Sequence, residues 1–349
     1  MVERRLVDAD RAPAAPAQRV RLPYVRLVLN LAVGGVLIAI LFRFVDAGEV
    51  RYAIGASDPR WAGLAIALAL ASQVARAVRW QTLLGPLGGR MPLARLTGVL
   101  LVGMAGNALL PLRAGDLLRV QYLGSRGLAR PAVLGSLAAE RLLDGWVFAA
   151  CFIAAGVGLW SFGYVAAGVV LGAGVGLGLF LGLRLAASGS NGGPALGWLP
   201  PRLALQLRPV LAALGQGLAA LRSAAALGQA ALASAVVWAL EIGAYAAAGK
   251  AAGLGGDVWT YVAIVAVANV VLALPLAQAG LGTFELAVTR TAASLGSNES
   301  LAAAFSLIVH GILVVPALLA GLIAALLLRV RPGELFYVRR PRGAQDASG

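Results

Sequence analysis

The chain contains apolar runs that are too long for the core of a globular domain. Runs of about 18 or more apolar residues can cross the hydrocarbon core of a bilayer as helices. Strands of a membrane barrel instead show weak alternation over about 10 residues. The sequence therefore predicts an all-α, polytopic membrane helical bundle. Six runs are predicted to span: 24–42, 61–84, 131–159, 162–183, 229–248 and 301–328.

Two further runs, 93–112 and 258–276, each contain an Asn and break at Leu-Pro followed by Gly. If both span, there are eight spanning helices, and the arginines of 113–130 and 202–222 lie outside, against the positive-inside rule. If both are re-entrant, six helices span and these arginines return to the cytoplasm. Irregular backbone at membrane depth is tolerated where it is buried in protein or lines a cavity. We therefore expect two inverted re-entrant hairpins, at about 93–128 and 258–297, with eight spans as the alternative.

The remaining segments complete the expected organisation. Residues 1–22 are expected to form a disordered cytoplasmic arm and residues 330–349 a cytoplasmic tail. Between them, 23–329 form a single integral membrane domain. Within it, 200–226 carry leucines at helical spacing together with arginines, which predicts an amphipathic segment on the cytoplasmic membrane surface. Both termini are therefore expected in the cytoplasm.

Charge and motif content exclude several classes of protein. The chain has 60% hydrophobic and 13% charged residues, with a net charge of +14. Its arginines lie mostly at the ends of apolar runs, where they anchor helices and face anionic lipid, so we expect no nucleic-acid partner. One cysteine, Cys151, and one histidine allow no disulfide and no histidine metal site. Without a catalytic motif we expect no enzyme, no cofactor and no metal, although a membrane-embedded lipid transferase stays open.

The densest group of charges inside a predicted span is Glu140, Arg141 and Asp144. Glu140 and Asp144 share a helix face one turn apart, and Arg141 offers a bidentate fork to a phosphate or carboxylate. One interpretation is a substrate site; the other is that Arg141 and Asp144 only neutralise each other. Two acids for one arginine favour a second cationic partner, for which Arg113 and Arg119 are the candidates.

A short polar segment follows the first break. Asp116 and Arg119 share one face of a helix that starts after Gly115, and Arg113 precedes it. Backbone amides at a helix N-terminus attract anions. This segment therefore predicts a site for a lipid phosphate.

The second break is followed by a similar arrangement. Glycines at 280 and 282 precede a helix start that has Glu285 in its first turn. Glu285 is thus a candidate for headgroup binding. Capping of this helix by Thr283, with Glu285 facing the helix dipole, explains the pattern equally well.

Four other ionisable groups lie within predicted spans. Glu241 is mid-span and needs a partner, and His310 can carry protons near neutral pH. His310 also fits a simpler interpretation, a hydrogen bond between helices. Arg76 and Arg79 close the second span, where anchoring at the cytoplasmic surface is favoured over headgroup binding.

Three motifs of this chain are similar to those of a known family. They are Pro-Leu-Arg-Ala-Gly-Asp-Leu-Leu-Arg at 111–119, Glu-Arg-Leu-Leu-Asp at 140–144 and Leu-Pro-Leu-Ala-Gln-Ala-Gly-Leu-Gly-Thr-Phe-Glu at 274–285. Together they resemble the membrane region of bacterial lysylphosphatidylglycerol synthases and their stand-alone relatives. The resemblance implies a plasma membrane protein that moves lipid between leaflets, without the soluble domain that performs aminoacyl transfer. The residues carried over are Arg113, Asp116, Arg119, Glu140, Arg141, Asp144 and Glu285.

Two departures from the family pattern bear on the substrate. Asp116 stands where relatives usually have Glu, and Gln278-Ala279-Gly280 is less glycine-rich than usual. The sequence therefore predicts a translocase for a phosphate-bearing lipid with an anionic headgroup, either a phospholipid or a polyprenyl- or terpenoid-linked lipid. His310 and Glu241 are candidates for proton coupling. The alternative function is a non-catalytic membrane partner of a lipid- or glycan-modifying enzyme, and a homo-oligomer is also open.

Overall fold

A computed structural model of the protein describes residues 24–89, 91–110, 114–191, 201–274 and 276–330. In these ranges the chain forms helices, turns and loops, and no strand. Five helices, α3, α6, α7, α9 and α12, are long and apolar enough to cross a membrane, which confirms a polytopic helical membrane protein. The helices are α1 Tyr24–Leu41, α2 Ala47–Gly55, α3 Pro59–Leu84, α4 Leu93–Leu109, α5 Gly115–Gly124, α6 Arg130–Gly158, α7 Phe162–Asn191, α8 Pro201–Gly217, α9 Ala224–Ala252, α10 Val258–Ala273, α11 Thr283–Ser294 and α12 Glu299–Leu327.

Helices α3 and α9 pack along their length in opposite directions and form the centre of the bundle. The backbone N–H of Asp58, just before α3, donates to the carbonyl of Ala251 at the end of α9. Buried alanines such as Ala65, Ala69 and Ala248 allow the close approach that membrane helices favour. Because α4 follows α3 and α10 follows α9, these two shorter helices start at opposite ends of the bundle.

The first of the two broken segments is a helical hairpin made by α4 and α5. Helix α4 ends at Leu109, and α5 begins at Gly115 and returns alongside it. The Asn107 side chain accepts a hydrogen bond from the Asp116 N–H at 3.2 Å and donates one to the Asp116 carboxylate at 3.3 Å. Gly115 lies directly against the backbone of Gly103, so this hairpin depends on a residue without a Cβ.

The second hairpin is made by α10 and α11, with a tight turn between them. Ala279 adopts φ 53°, and Gly280 and Gly282 also have positive φ, which glycine tolerates best. The Glu285 carboxylate accepts the Gly282 N–H at 2.6 Å, whereas the Thr283 hydroxyl donates to the Gly280 carbonyl. Gly282 is therefore the N-cap residue of α11, and the prediction that Thr283 caps this helix is wrong.

The tips of the two hairpins meet beside the middle of α12. The Gln278 amide Nε2 donates to the carbonyls of Ala108 at 2.7 Å and Leu110 at 3.1 Å. His310, near the centre of α12, has its Nε2 3.1 Å from the Ala279 carbonyl. The Gln278 side chain thus joins the turn after α10 to the end of α4, and this contact lies beside the middle of α12.

The two ends of the bundle differ in charge. The end where α4 starts and α12 finishes carries arginines, whereas the opposite end mixes both signs and holds the capping residues of α2, α3, α10 and α12. There, hydrogen bonds from the N–H and the hydroxyl of Thr260 lower the pKa of the Asp257 carboxyl. The arginines at the first end include Arg95, Arg126, Arg130, Arg222 and Arg329, and the capping residues at the other are Asp46, Asp58, Asp257 and Asn298.

Helix α8, within the predicted amphipathic segment, packs on α6 and α7 at the arginine-rich end. Gly217 and Gly135 lie against each other, so a Cβ on either glycine would collide with the backbone of the other helix. The predicted arm 1–22 lies outside the described residues, and so does the predicted tail beyond Val330.

Candidate functional site

Glu140 and Asp144 lie on one buried face of α6, as predicted, with 2% and 3% of their surfaces exposed. Arg79 of α3 binds both: its Nη1 is 2.6 Å from Asp144 Oδ1, and its Nη2 is 3.6 Å from Glu140 Oε1. Arg79 is itself 1% exposed. The interpretation of Arg79 as a surface anchor is therefore wrong, because its side chain turns into the bundle toward two carboxylates.

Arg119 of α5 is the second cationic partner of Glu140. Its Nη2 is 2.7 Å from Glu140 Oε2, and its guanidinium lies 3.9 Å from the ring centroid of Trp80. Its Nη1 is 3.6 Å from Asp116 Oδ1. Of the two candidates for this role, Arg119 is confirmed, and Arg113 lies outside the described residues.

Arg141 is placed differently from its neighbours. Its side chain is 51% exposed, and its Nη1 is 3.8 Å from Asp144 Oδ2, a longer contact than those made by Arg79. The Asp116 side chain is also partly exposed, at 27%. Arg141 and Asp116 are therefore the accessible members of an otherwise buried group.

Glu241 of α9 has the partner that its mid-span position requires. Arg76 Nη2 lies 3.3 Å from Glu241 Oε2, and the Ser72 hydroxyl donates to the same oxygen at 3.0 Å. Arg76 also lies over the Trp238 ring, whose Nε1 donates to Asp144 at 3.1 Å. Arg76 thus points into the bundle rather than anchoring α3 at the surface. Trp238 contacts both Arg76 and Asp144, and so links the Arg76–Glu241 pair to the charges around Asp144.

These contacts form one charge-balanced network that joins α3, α5, α6 and α9. Buried charges in a membrane are expensive unless paired, and removing one partner of a pair leaves the other uncompensated. Mutual neutralisation therefore accounts for the buried members. The network comprises Arg76, Arg79, Arg119 and Arg141 with Asp116, Glu140, Asp144 and Glu241.

Glu285 and His310 form a second, separate pair. His310 Nδ1 is 2.6 Å from Glu285 Oε1, and its Nε2 faces the Ala279 carbonyl, which can only accept. The His310 ring therefore bridges the Glu285 carboxylate and the backbone of the turn at Ala279. The predicted hydrogen bond between helices is confirmed for His310, and proton coupling stays a prediction. Among the described residues, the Glu285 carboxylate contacts Gly282 and His310 and makes no ion pair with an arginine of the network.

A cavity of about 180 Å³ lies where the hairpin tips meet, with a mainly apolar lining that includes three amide side chains. Asn107 and Ala108 line it from the first hairpin, Gln278 and Ala279 from the second, and Asn30 from α1. Sequence reasoning missed Asn30, although an amide in an apolar run is a visible signal. In the described part of the chain, no three His, Cys, Asp or Glu residues are grouped as metal ligands.

The fold and the site define a polytopic helical membrane protein with two helical hairpins, a buried charge network and a cavity between the hairpin tips. Residues 27–321 match the family described as the lysylphosphatidylglycerol synthase TM region. The chain belongs to this family, as its motifs predict.

A curated relative is similar to part of the chain. The glycosyltransferase AglD of Haloferax volcanii is 31% identical over 121 residues, which are 34% of this chain and 19% of that protein. The similarity therefore covers about a fifth of the relative's length.

Proposed function

We propose that this protein is a translocase that moves a phosphate-bearing lipid between the leaflets of a bacterial plasma membrane. One observation carries the proposal: a cavity with three amide side chains in its lining lies between the tips of both hairpins, beside the middle of α12. Binding sites of this kind, formed by broken helices that meet at half depth, recur in transporters built from inverted repeats.

The topology that belongs to this proposal has six spanning helices and two re-entrant hairpins. Helices α4 and α10 have 17 and 16 residues, or about 25 Å and 24 Å, against about 30 Å for the hydrocarbon core. Each is followed by a helix that returns along it. The positive-inside rule then places the arginine-rich end, and with it both termini, in the cytoplasm.

The topology predicts one-sided access to a cysteine placed at the arginine-rich end. In a Cys151→Ala background, Arg126→Cys should react with a membrane-impermeant maleimide only from the cytoplasmic side, because α5 returns to the face where α4 entered. Glu49→Cys, on α2 at the opposite end, should react only from outside. Labelling of Arg126→Cys from outside would instead support eight spans.

Arg141 is the residue proposed to bind the lipid phosphate, with Asp116 beside it. It is half exposed in the middle of a spanning helix and has one long contact to Asp144. Arginine presents a planar fork that matches phosphate oxygens. The buried arginines are already held by carboxylates, so in this proposal they position α5 and α6.

Purified protein in liposomes should move native or fluorescent phospholipid between leaflets. Arg141→Ala should slow this movement about tenfold or more, because a hydrogen bond to a charged group contributes about 1.5–3 kcal/mol. The matched control is Arg290→Ala, which removes a comparably exposed arginine that pairs with Glu299. Equal rates for Arg141→Ala and the wild type would remove Arg141 from the site.

A second candidate function is a non-catalytic membrane partner of a glycan- or lipid-modifying enzyme. The observation that favours it is the similarity to part of a protein named as a glycosyltransferase. It predicts no lipid movement by the purified chain and stable co-purification with a cytoplasmic enzyme.

A further inference from the structure

The cavity between the hairpin tips separates α1 from the rest of the bundle. Asn30 lines it from α1, Met104 lines it from α4 and Val314 lines it from α12. Helices α4 and α12 pack closely on each other, whereas α1 packs on α11 and on the turn Gln278–Gly280. In the described part of the chain, α1 has no comparable packing along α4 or α12. A seam therefore lies between α1 and the α4–α12 pair.

Helix α1 is fixed to the bundle by its second half. Leu41, at its end, is 1% exposed, and Gly34 lies against Leu281 in the turn before α11. In the first half, by contrast, Val28 and Leu29 are 64% and 60% exposed. The half of α1 that lies toward the arginine-rich end therefore borders the seam without closing it.

Leu274 gives independent evidence that the cavity opens to the outside of the bundle. It lines the cavity and is nevertheless 55% exposed. The cavity lies beside the middle of the spanning helix α12, where the bundle is surrounded by the hydrocarbon core of the bilayer. The opening therefore faces lipid chains.

We propose that this cavity binds a hydrocarbon chain of the transported lipid, which enters through the seam from the leaflet at the arginine-rich end. The lining is mainly apolar and includes Met104, Leu272, Leu274 and Val314. Apolar cavities stay dry and bind apolar molecules, because an empty cavity forfeits dispersion contacts. At this depth of a bilayer the apolar molecules are lipid chains.

Asn107 connects the cavity to the proposed headgroup site. It lines the cavity, and its side chain both accepts from the Asp116 N–H and donates to the Asp116 carboxylate. Asp116 is the partly exposed carboxylate beside Arg141. The headgroup site and the cavity are therefore adjacent, and one lipid can occupy both. The inference rests on the proposed function and adds to it the position of the lipid chain.

Photo-labelling tests chain binding without a measurement of lipid movement. The purified full chain is reconstituted in liposomes that contain phosphatidylglycerol with a diazirine in the middle of one acyl chain, and labelled residues are mapped by mass spectrometry. We expect labelling of Val314 in the cavity as well as of Val170 on α7, which is 72% exposed. Labelling of Val170 without labelling of Val314 would overturn the proposal.

A covalent bridge across the seam tests the route of entry. In a Cys151→Ala background, Asn30→Cys and Met104→Cys are joined in detergent by a short bifunctional maleimide, because both positions line the same cavity. Compared with the same variant before bridging, labelling of Val314 should be lost and labelling of Val170 should be unchanged. Labelling of Val314 that persists after bridging would exclude the seam as the route.

The matched control is a bridge between α1 and the turn on which it already packs. Ile38→Cys and Leu281→Cys are joined in the same background, since α1 lies against the turn before α11 at these positions. This bridge should leave the labelling of Val314 unchanged. An equal loss after both bridges would show that α1 itself must move, and would also exclude the seam.

Lipid movement measured on the same proteins separates this inference from the proposed function. The bridge between positions 30 and 104 should stop lipid movement, and the control bridge should leave it unchanged. Labelling of Val314 in a protein that moves no lipid would support the chain site and refute the translocase. Lipid movement at the wild-type rate across a bridged seam would refute the entry route alone.

Discussion

Replacing Glu140 with alanine is expected to destabilise the purified protein severely. Glu140 Oε2 is 2.7 Å from Arg119, and Oε1 is 3.6 Å from Arg79, both of which are almost fully buried. The substitution leaves Arg119 without its closest partner. Breaking a buried ion pair from one side is unfavourable by about 3–5 kcal/mol, so the thermal midpoint in detergent should fall by many degrees.

The control for this result is an ion pair at the surface of the same protein. Glu299 and Arg290 are 2.8 Å apart, with side chains 43% and 44% exposed. Glu299→Ala should change stability by about 0–1 kcal/mol, because solvent screens an exposed pair. If Glu140→Ala and Glu299→Ala shift the midpoint equally, the buried network does not hold α5 and α6 together.

The order of helices and breaks could be predicted from the sequence because it depends on local features. Apolar run length predicted the long helices, and Leu-Pro predicted both breaks. The broken helices end three residues before the predicted limits of 112 and 276. The reason is that a residue before proline avoids the α conformation, and Leu110 and Leu274, which precede prolines, are extended.

The pairing of charges could be predicted only where it is local. The shared face of Glu140 and Asp144 follows from helix periodicity. The contact between Arg79 and Asp144 joins residues 65 positions apart, and no local pattern records it. Arg79 also lies near a helix end, where the positive-inside rule predicts a surface anchor. In the folded protein its contacts with other helices decide its position instead.

The contact between the two hairpin tips likewise could not be predicted from the sequence. Gln278 is notable in the sequence only as a departure from a glycine-rich motif, yet it binds three carbonyls at the end of α4. The glycines of the motif predict a tight turn. They do not predict which element the turn contacts, because that depends on the opposite directions of α3 and α9.

Gly115→Ala is expected to disrupt the first hairpin and abolish lipid movement. A Cβ on residue 115 would overlap the Gly103 carbonyl oxygen and the Asn107 backbone nitrogen, and neither backbone atom can move without displacing α4. Overpacking usually destabilises by about 1–3 kcal/mol, and a clash between two backbones belongs at the upper end of that range. The thermal midpoint and the translocation rate should both fall.

Gly174→Ala on α7 is the matched control, because a Cβ there meets no atom within 4 Å. Alanine is favoured over glycine in a helix by about 0.8–1 kcal/mol, so this variant should be as stable as the wild type or slightly more stable. A wild-type midpoint together with wild-type lipid movement in Gly115→Ala would contradict the close contact between α4 and α5. A Gly115→Ala protein that keeps the wild-type midpoint but loses lipid movement would mean that α5 has shifted within a stable bundle, which would assign the first hairpin directly to the lipid pathway.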